Sequence, residues 1–164
     1  MACRWDNRSG YHFTPPLPNY DFIPLWEDPI LAVLSDKNPL ADHPFIDLKE
    51  LVEYPFIAPN EDADETINRI MDAESLSPNI RFRIKGDIAT LSMVEQNLGV
   101  SLMPKLTCSL KQCAVTIRPL KQRYVRELGI CLQSKKHASP ATLAFICEVR
   151  DYIENEWPTH LSEL

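Results

Sequence analysis

The polar residues that could bind a ligand lie in two short segments, each between a predicted strand and a predicted helix. The first is Ala58-Pro59-Asn60 and the second is Lys85-Gly86-Asp87, with Thr90 in the first turn of the following helix. An asparagine both donates and accepts hydrogen bonds, a lysine pairs with anions, and a glycine lets a ligand approach the backbone. Helix N-termini add partial positive charge. The same residues also suit ordinary turns and caps, so both interpretations stay open.

The chain carries no motif typical of catalysis. The GxSxG, HExxH, P-loop and Rossmann glycine patterns are all missing from the sequence. The histidines are too scattered to ligate a metal together and fit surface or turn positions better; they are His12, His43, His137 and His160. We therefore expect neither an enzyme nor a bound cofactor or metal.

The five cysteines form an odd set without a CxxC pair. This predicts reduced thiols, with neither a disulfide framework nor a zinc site. Cys108 and Cys113 lie close in sequence to Lys105 and Lys111, and neighbouring cations could activate a thiol. Buried, inert cysteines are the simpler interpretation.

Apolar periodicity and turn residues predict alternating strands and helices. Strands are predicted at residues 22–26, 29–35, 54–58, 81–85, 100–103, 114–120 and 127–133. Helices are predicted at residues 48–54, 62–76, 87–98, 105–112 and from Pro140 onward. The predicted N-caps are Asp47, Asp87 and Ser139, and Gly99 is the predicted left-handed stop. The alternation over residues 47–103 is typical of an α/β unit with a largely parallel sheet.

Composition narrows the function classes. The 164 residues are 45% hydrophobic and 24% charged, which suits one globular domain or two small lobes. A formal net charge of −6 without a basic stripe argues against nucleic-acid binding. The chain has neither a secretory signal nor the roughly 18 consecutive apolar residues of a membrane span. The cytoplasm is therefore the expected location.

The segment from Lys85 to Pro104 resembles the effector-binding domain of bacterial LysR-type transcriptional regulators. In that family a helix that carries a valine ends in a glycine-rich stop before an apolar strand and a proline, as Val94, Gly99 and Pro104 do here. Three further stretches are similar in order and spacing: residues 26–41 with their Asn-Pro-Leu-Ala turn, residues 47–57, and residues 127–157. The resemblance covers residues 22–157.

The resemblance implies an α/β fold like that of type 2 periplasmic binding proteins, with two lobes joined by crossing strands and an effector in the cleft. Residues 1–21 would be an irregular N-terminal segment that supplies at most one strand. Residues 22–34 plus 127–160 would form an incomplete lobe I, and residues 35–126 would form lobe II. The family's winged helix-turn-helix would have to precede Phe22, so we expect an effector-binding fragment without DNA-binding activity of its own.

The resemblance also favours the ligand interpretation of the two polar segments. It implies a small polar organic effector and a homo-oligomer, with no membrane partner. The expected effector-binding residues are Ala58, Pro59, Asn60, Lys85, Gly86, Asp87 and Thr90. The acids Glu61, Asp62, Asp64 and Glu65 either complement a helix dipole in solvent or face the cleft, where they would favour a neutral or cationic effector.

Three other functions fit parts of the sequence. An extracytoplasmic solute-binding protein would share the two-lobed fold, but the sequence shows no secretory signal. An enzyme could use Cys108 or Cys113 as its nucleophile, but a coherent base is missing. An interaction module could pair with another chain through an open sheet edge.

Overall fold

The computed structural model describes residues 11–13, 19–59, 65–108 and 113–155. The strands are β1 Tyr11–Phe13, β2 Asp21–Ser35, β3 Phe56–Pro59, β4 Ile80–Ile84, β5 Ser101–Pro104, β6 Val115–Pro119 and β7 Tyr124–Leu132. The helices are α1 Leu48–Leu51, α2 Glu65–Ala73, α3 Asp87–Glu95, α4 Lys105–Cys108 and α5 Pro140–Asn155. Within these ranges, no helix has the length and apolar character needed to cross a bilayer.

The chain divides into two compact units. Of the described residues, the first unit contains 11–12 and 29–125, and the second contains Phe13, 19–28 and 126–155. The chain therefore crosses between the units within β1, within β2 and within β7.

The first unit is built on a mixed sheet in the order β4-β3-β5-β2-β6. Strands β3 and β4 pair in parallel, and a parallel bridge joins Phe56 of β3 to Val100 at the start of β5. Strand β2 pairs antiparallel with both β5 and β6. The carboxyl ends of β3, β4, β5 and β6 therefore lie at one edge, as the predicted α/β pattern requires.

The core of the first unit lies between this sheet and α3. Leu91 and Val94 of α3 are buried as predicted and pack with Val33, Ile57 and Met103. Burying such side chains contributes about 1.5–3 kcal/mol each. The predicted third member of the helix face, Leu98, is 42% exposed because α3 ends at Glu95.

At the end of α3, the residue with a left-handed backbone conformation is Asn97 and not the predicted Gly99. Asn97 adopts φ 58°, and the amides of Asn97 and Leu98 donate to the carbonyls of Val94 and Met93 at 2.8 and 3.1 Å. This is a Schellman arrangement with asparagine in the place usually taken by glycine. Gly99 has a different role: a Cβ there would lie 2.5 Å from the carbonyl oxygen of Pro55, so close packing requires the glycine.

Two predicted helix caps are confirmed. The Asp47 carboxylate accepts from the amide of Lys49 at 3.0 Å, and the Ser139 hydroxyl accepts from the amide of Thr142 at 3.1 Å. The helices α1 and α2 are shorter than predicted, but Ile67, Ile70 and Met71 form the expected buried face of α2.

In the second unit, β7 lies beside β2. The sequence predicts two strands at residues 22–35, whereas β2 runs through the whole stretch without a break. Backbone pairing with β7, β5 and β6 extends β2 through this stretch. Asp28, between the two predicted strands, is fully buried and pairs with Arg126 of β7 at 2.8 Å. Helix α5 buries Ile146, whereas Leu143 of its predicted apolar stripe is 40% exposed.

Candidate functional site

The two predicted ligand segments meet at the carboxyl edge of the first unit's sheet. Pro59, the last residue of β3, is the register partner of Ile84, the last residue of β4. Neighbouring strands lie about 4.8 Å apart, so Ala58 and Pro59 share this edge with Lys85 and Gly86. Ala58 itself is 3% exposed and offers mainly its backbone. The structure thus brings together two segments that lie more than twenty positions apart in the sequence.

Helix α3 begins at this edge directly after β4. We predicted Asp87 as its N-cap, but Asp87 is the first helical residue and Gly86 is the cap, without a side-chain cap hydrogen bond. Gly86 has φ 108°, a backbone conformation that side chains other than glycine adopt at a cost. Because no side chain occupies the capping position, the first-turn N–H groups are available to a ligand from the protein side.

Thr90 is placed near the site but is largely committed to the protein. It is 5% exposed, and its hydroxyl donates to the carbonyl of Gly86 at 3.2 Å. The amide of Thr90 donates to the same carbonyl at 3.2 Å. Thr90 therefore holds the turn between β4 and α3, and its hydroxyl proton is already used.

Two residues at this edge were missed by the sequence analysis. Lys105 is exposed and follows β5 directly. Because β3 lies between β4 and β5 in the sheet, Lys105 and Lys85 lie on opposite sides of β3. Ile88, in the first turn of α3, is 65% exposed and offers apolar surface next to Gly86 and Asp87. Lys105 can be assigned to this edge only from the order of the strands in the sheet, which a sequence does not show. An exposed isoleucine leaves no signal in a single sequence.

The edge combines positive charge with exposed apolar surface. Lys85 and Lys105 supply two cations, Asp87 supplies one carboxylate, and the N-terminus of α3 adds partial positive charge. Such an edge can hold a small organic anion by charge and backbone N–H groups, with Ile88 against its apolar part.

Some of the predicted residues lie outside the described ranges. Asn60 and the acids Glu61, Asp62 and Asp64 fall in residues 60–64, and Glu65 opens α2. His160 and Cys3 are also outside. Both interpretations of the acidic residues therefore remain predictions.

The side chains considered for catalysis are scattered. His43 and His137 are exposed, as expected, and Cys108 is buried while Cys113 is partly buried. The Cys113 thiol lies 3.8 Å from the Ser92 hydroxyl, in a contact that either atom can donate. Across the described ranges, no three His, Cys, Asp or Glu side chains cluster in a way that could hold a metal ion.

Comparison with known proteins agrees with this architecture. The family described as LysR substrate binding domain matches residues 10–154. The chain is 27% identical over 134 residues to the "Uncharacterized HTH-type transcriptional regulator YvbU" of Bacillus subtilis (strain 168), covering 80% of this chain and 46% of the relative. It is 26% identical over 139 residues to the Hca operon transcriptional activator HcaR of Escherichia coli (strain K12), covering 82% and 47%. The chain thus spans about half the length of these relatives, which are transcriptional regulators.

Solved structures give the same fold. The effector-binding domain of QuiR in complex with shikimate has a TM-score of 0.73 at 22% identity, covering 88% of this chain and 70% of that one. The regulatory domain of CcmR from Synechocystis PCC6803 in complex with 2-PG has a TM-score of 0.72 at 17% identity, covering 87% and 71%. The predicted α/β fold of the type 2 periplasmic-binding-protein kind is confirmed.

Proposed function

The chain belongs to the family of LysR substrate-binding domains, and we propose that it binds a small organic anion at the carboxyl edge of β3, β4 and β5. The observation that carries this proposal is the register of Pro59 opposite Ile84, which sets Lys85 and the uncapped start of α3 beside the end of β3. Effector-bound complexes among the solved neighbours, with shikimate and with 2-PG, support a small oxygen-rich ligand.

The proposed contacts divide into three roles. Lys85 and Lys105 attract the anionic group, and the backbone N–H groups after Gly86 bind its oxygens. The end of β3 at Pro59 forms the other side, and Asn60 stays a predicted contact outside the described residues. Residues 35–126 would then act as lobe II, and residues 22–34 plus 127–160 as an incomplete lobe I. A differential affinity for the effector between conformations would be the basis of regulation.

Titration of the purified protein with shikimate and a panel of small mono- and dicarboxylates tests this proposal. We expect Lys85→Gln and Lys105→Gln each to weaken the best ligand about tenfold, since a hydrogen bond to a charged group contributes about 1.5 kcal/mol or more. Lys37→Gln is the matched control, because Lys37 is exposed and follows the carboxyl end of β2, at the opposite edge. Equal loss in all three variants would contradict the proposed site.

We also propose that the 164-residue polypeptide does not bind promoter DNA by itself and has no catalytic activity. Its net charge of −6 and its match to the substrate-binding domain support this proposal. A gel shift with salt-sensitive, sequence-specific binding would refute it. We also propose that the protein forms a homo-oligomer. Light scattering on the protein as it elutes from a size-exclusion column measures the mass of the assembly. The family match does not favour the solute-binding or interaction-module alternatives.

A further inference from the structure

A separate cavity of about 420 Å³ lies in the first unit, between α1, the end of α2 and the connection from β6 to β7. We call it the α1–α2 cavity; its lining residues lie within 47–49, at Glu74 and within 120–124. Its volume lies within the range of small-molecule sites, about 300–1,000 Å³. Among the described residues, its lining does not include residues 85–90 or Lys105, although Leu120 and Lys121 follow β6 at the same edge of the sheet. It is therefore a second concavity of the same unit.

Three lining residues of the α1–α2 cavity are buried: Leu48, Leu120 and Tyr124 are 6%, 7% and 2% exposed. A parallel bridge between Ile46 and Leu120 ties the start of α1 to the end of β6. The amide of Lys121 also donates to the carbonyl of Ile46 at 2.8 Å. These backbone contacts join the two walls of the cavity.

Two side chains that line the cavity, Tyr124 and Glu74, form a polar pair. The Tyr124 hydroxyl donates to Oε1 of Glu74 at 2.8 Å, and Glu74 is half-buried. Because this bond uses the hydroxyl proton, the pair offers a ligand only acceptor lone pairs and one negative charge. The group that complements it is a cationic donor, and an ammonium group fits best because it brings three N–H bonds.

The mouth of the α1–α2 cavity carries the opposite charge. Lys49, Lys121 and Gln122 are exposed there. Asp47 holds the Lys121 ammonium at 3.5 Å, which keeps that side chain near the mouth. With Asp47 and Glu74 against Lys49 and Lys121, the lining is neutral in total but polarised, with a carboxylate in the interior and ammonium groups outside.

We propose that the α1–α2 cavity is a second binding site, for a small zwitterion whose ammonium group contacts Glu74 and Tyr124 and whose carboxylate meets the lysines at the mouth. The methylene chain between the two groups lies on Leu48 and Leu120. Occupancy places the ligand against Tyr124, the first residue of β7, through which the chain passes to the second unit. This proposal does not depend on the anion site.

Three five-carbon probes test it: 5-aminopentanoate, pentanoate, which lacks the ammonium group, and pentylamine, which lacks the carboxylate. Calorimetric titration of the full 164-residue protein should show saturable binding of 5-aminopentanoate, weaker binding of pentylamine and the weakest binding of pentanoate. The absence of saturable binding in the millimolar range overturns the proposal, and so does pentanoate binding as tightly as 5-aminopentanoate.

Substitutions show which residues bind 5-aminopentanoate. Glu74→Gln keeps the size of the side chain and an acceptor for the Tyr124 hydroxyl, and it should weaken 5-aminopentanoate at least tenfold. Glu53→Gln, at an exposed glutamate outside the cavity, is the matched control and should leave binding unchanged. Lys85→Gln should also leave it unchanged, which distinguishes this site from the anion site. Unaltered binding in Glu74→Gln refutes the assignment.

A measurement on the unsubstituted protein covers the case in which Glu74→Gln fails to fold. Amide chemical shifts should change with 5-aminopentanoate at Leu48, Gln122 and Tyr124, and stay constant at residues 85–90. Changes confined to residues 85–90 would place the zwitterion at the anion site and overturn the proposal.

Discussion

The buried ion pair of the second unit makes an asymmetric prediction. Asp28 of β2 is fully buried, whereas the Arg126 side chain is 27% exposed, and their charged groups lie 2.8 Å apart. Removing one partner of a buried pair typically costs about 3–5 kcal/mol because the remaining charge stays buried. Arg126→Met leaves the fully buried carboxylate, and Asp28→Asn leaves a guanidinium that can reach water. Arg126→Met should therefore be the more damaging change.

Urea unfolding of three variants at pH 7 tests this prediction. We expect Arg126→Met to lose about 3–4 kcal/mol. Asp28→Asn, which keeps a hydrogen-bond acceptor, should lose about 1–2 kcal/mol. The double variant Asp28→Leu with Arg126→Met should approach the parent, since apolar replacement of buried pairs is often neutral. Both residues make further contacts, so each single loss includes more than their mutual ion pair.

Equal losses for the two single variants would contradict this prediction. That result would mean that the buried carboxylate is not what makes the pair costly to break.

Three further substitutions probe the first unit. Gly99→Ala should destabilise the protein by about 1–3 kcal/mol in urea unfolding, because the new Cβ would meet the backbone carbonyl of Pro55; a neutral result would contradict the close packing. The Lys49 amide is the main cause that lowers the pKa of Asp47, so Asp47→Asn should cost somewhat under 1 kcal/mol at pH 7. That difference should shrink as the pH falls through and below the ordinary range of a carboxyl group, since stability from a lowered carboxyl pKa is lost as the carboxylate is protonated; a difference that persists in strong acid would point to another cause. Leu91→Ala should cost about 3 kcal/mol by the same measurement, and a loss below 1 kcal/mol would show that the core relaxes around it.

Local chemistry made much of the fold predictable. The caps at Asp47 and Ser139 and the buried face of α2 follow from interactions within a few residues, which a sequence displays directly. The alternation of strands and helices indicates a parallel sheet, because parallel strands need crossover connections. The neighbouring positions of Ala58-Pro59 and Lys85-Gly86 follow from the same rule once the strands pair.

Features that depend on distant parts of the chain were not predictable. The burial of Asp28 within β2 depends on Arg126, which is 98 positions away and holds its carboxylate. The role of Gly99 depends on Pro55, and whether asparagine or glycine takes the left-handed position is a small energy difference that packing decides.

The two proposed binding sites show the same division between local features, which a sequence displays, and contacts between distant residues. The sequence by itself determined the family, the helix ends and which residue types are available to an anion. Only the tertiary structure decided that the Thr90 hydroxyl donates to the carbonyl of Gly86 and that the Tyr124 hydroxyl donates to Glu74. The tertiary structure also placed Lys105 and Lys85 at one edge of the sheet. The physical reason is that hydrogen-bond commitment and burial depend on which partners the fold brings within about 3 Å, and residue type alone does not specify them.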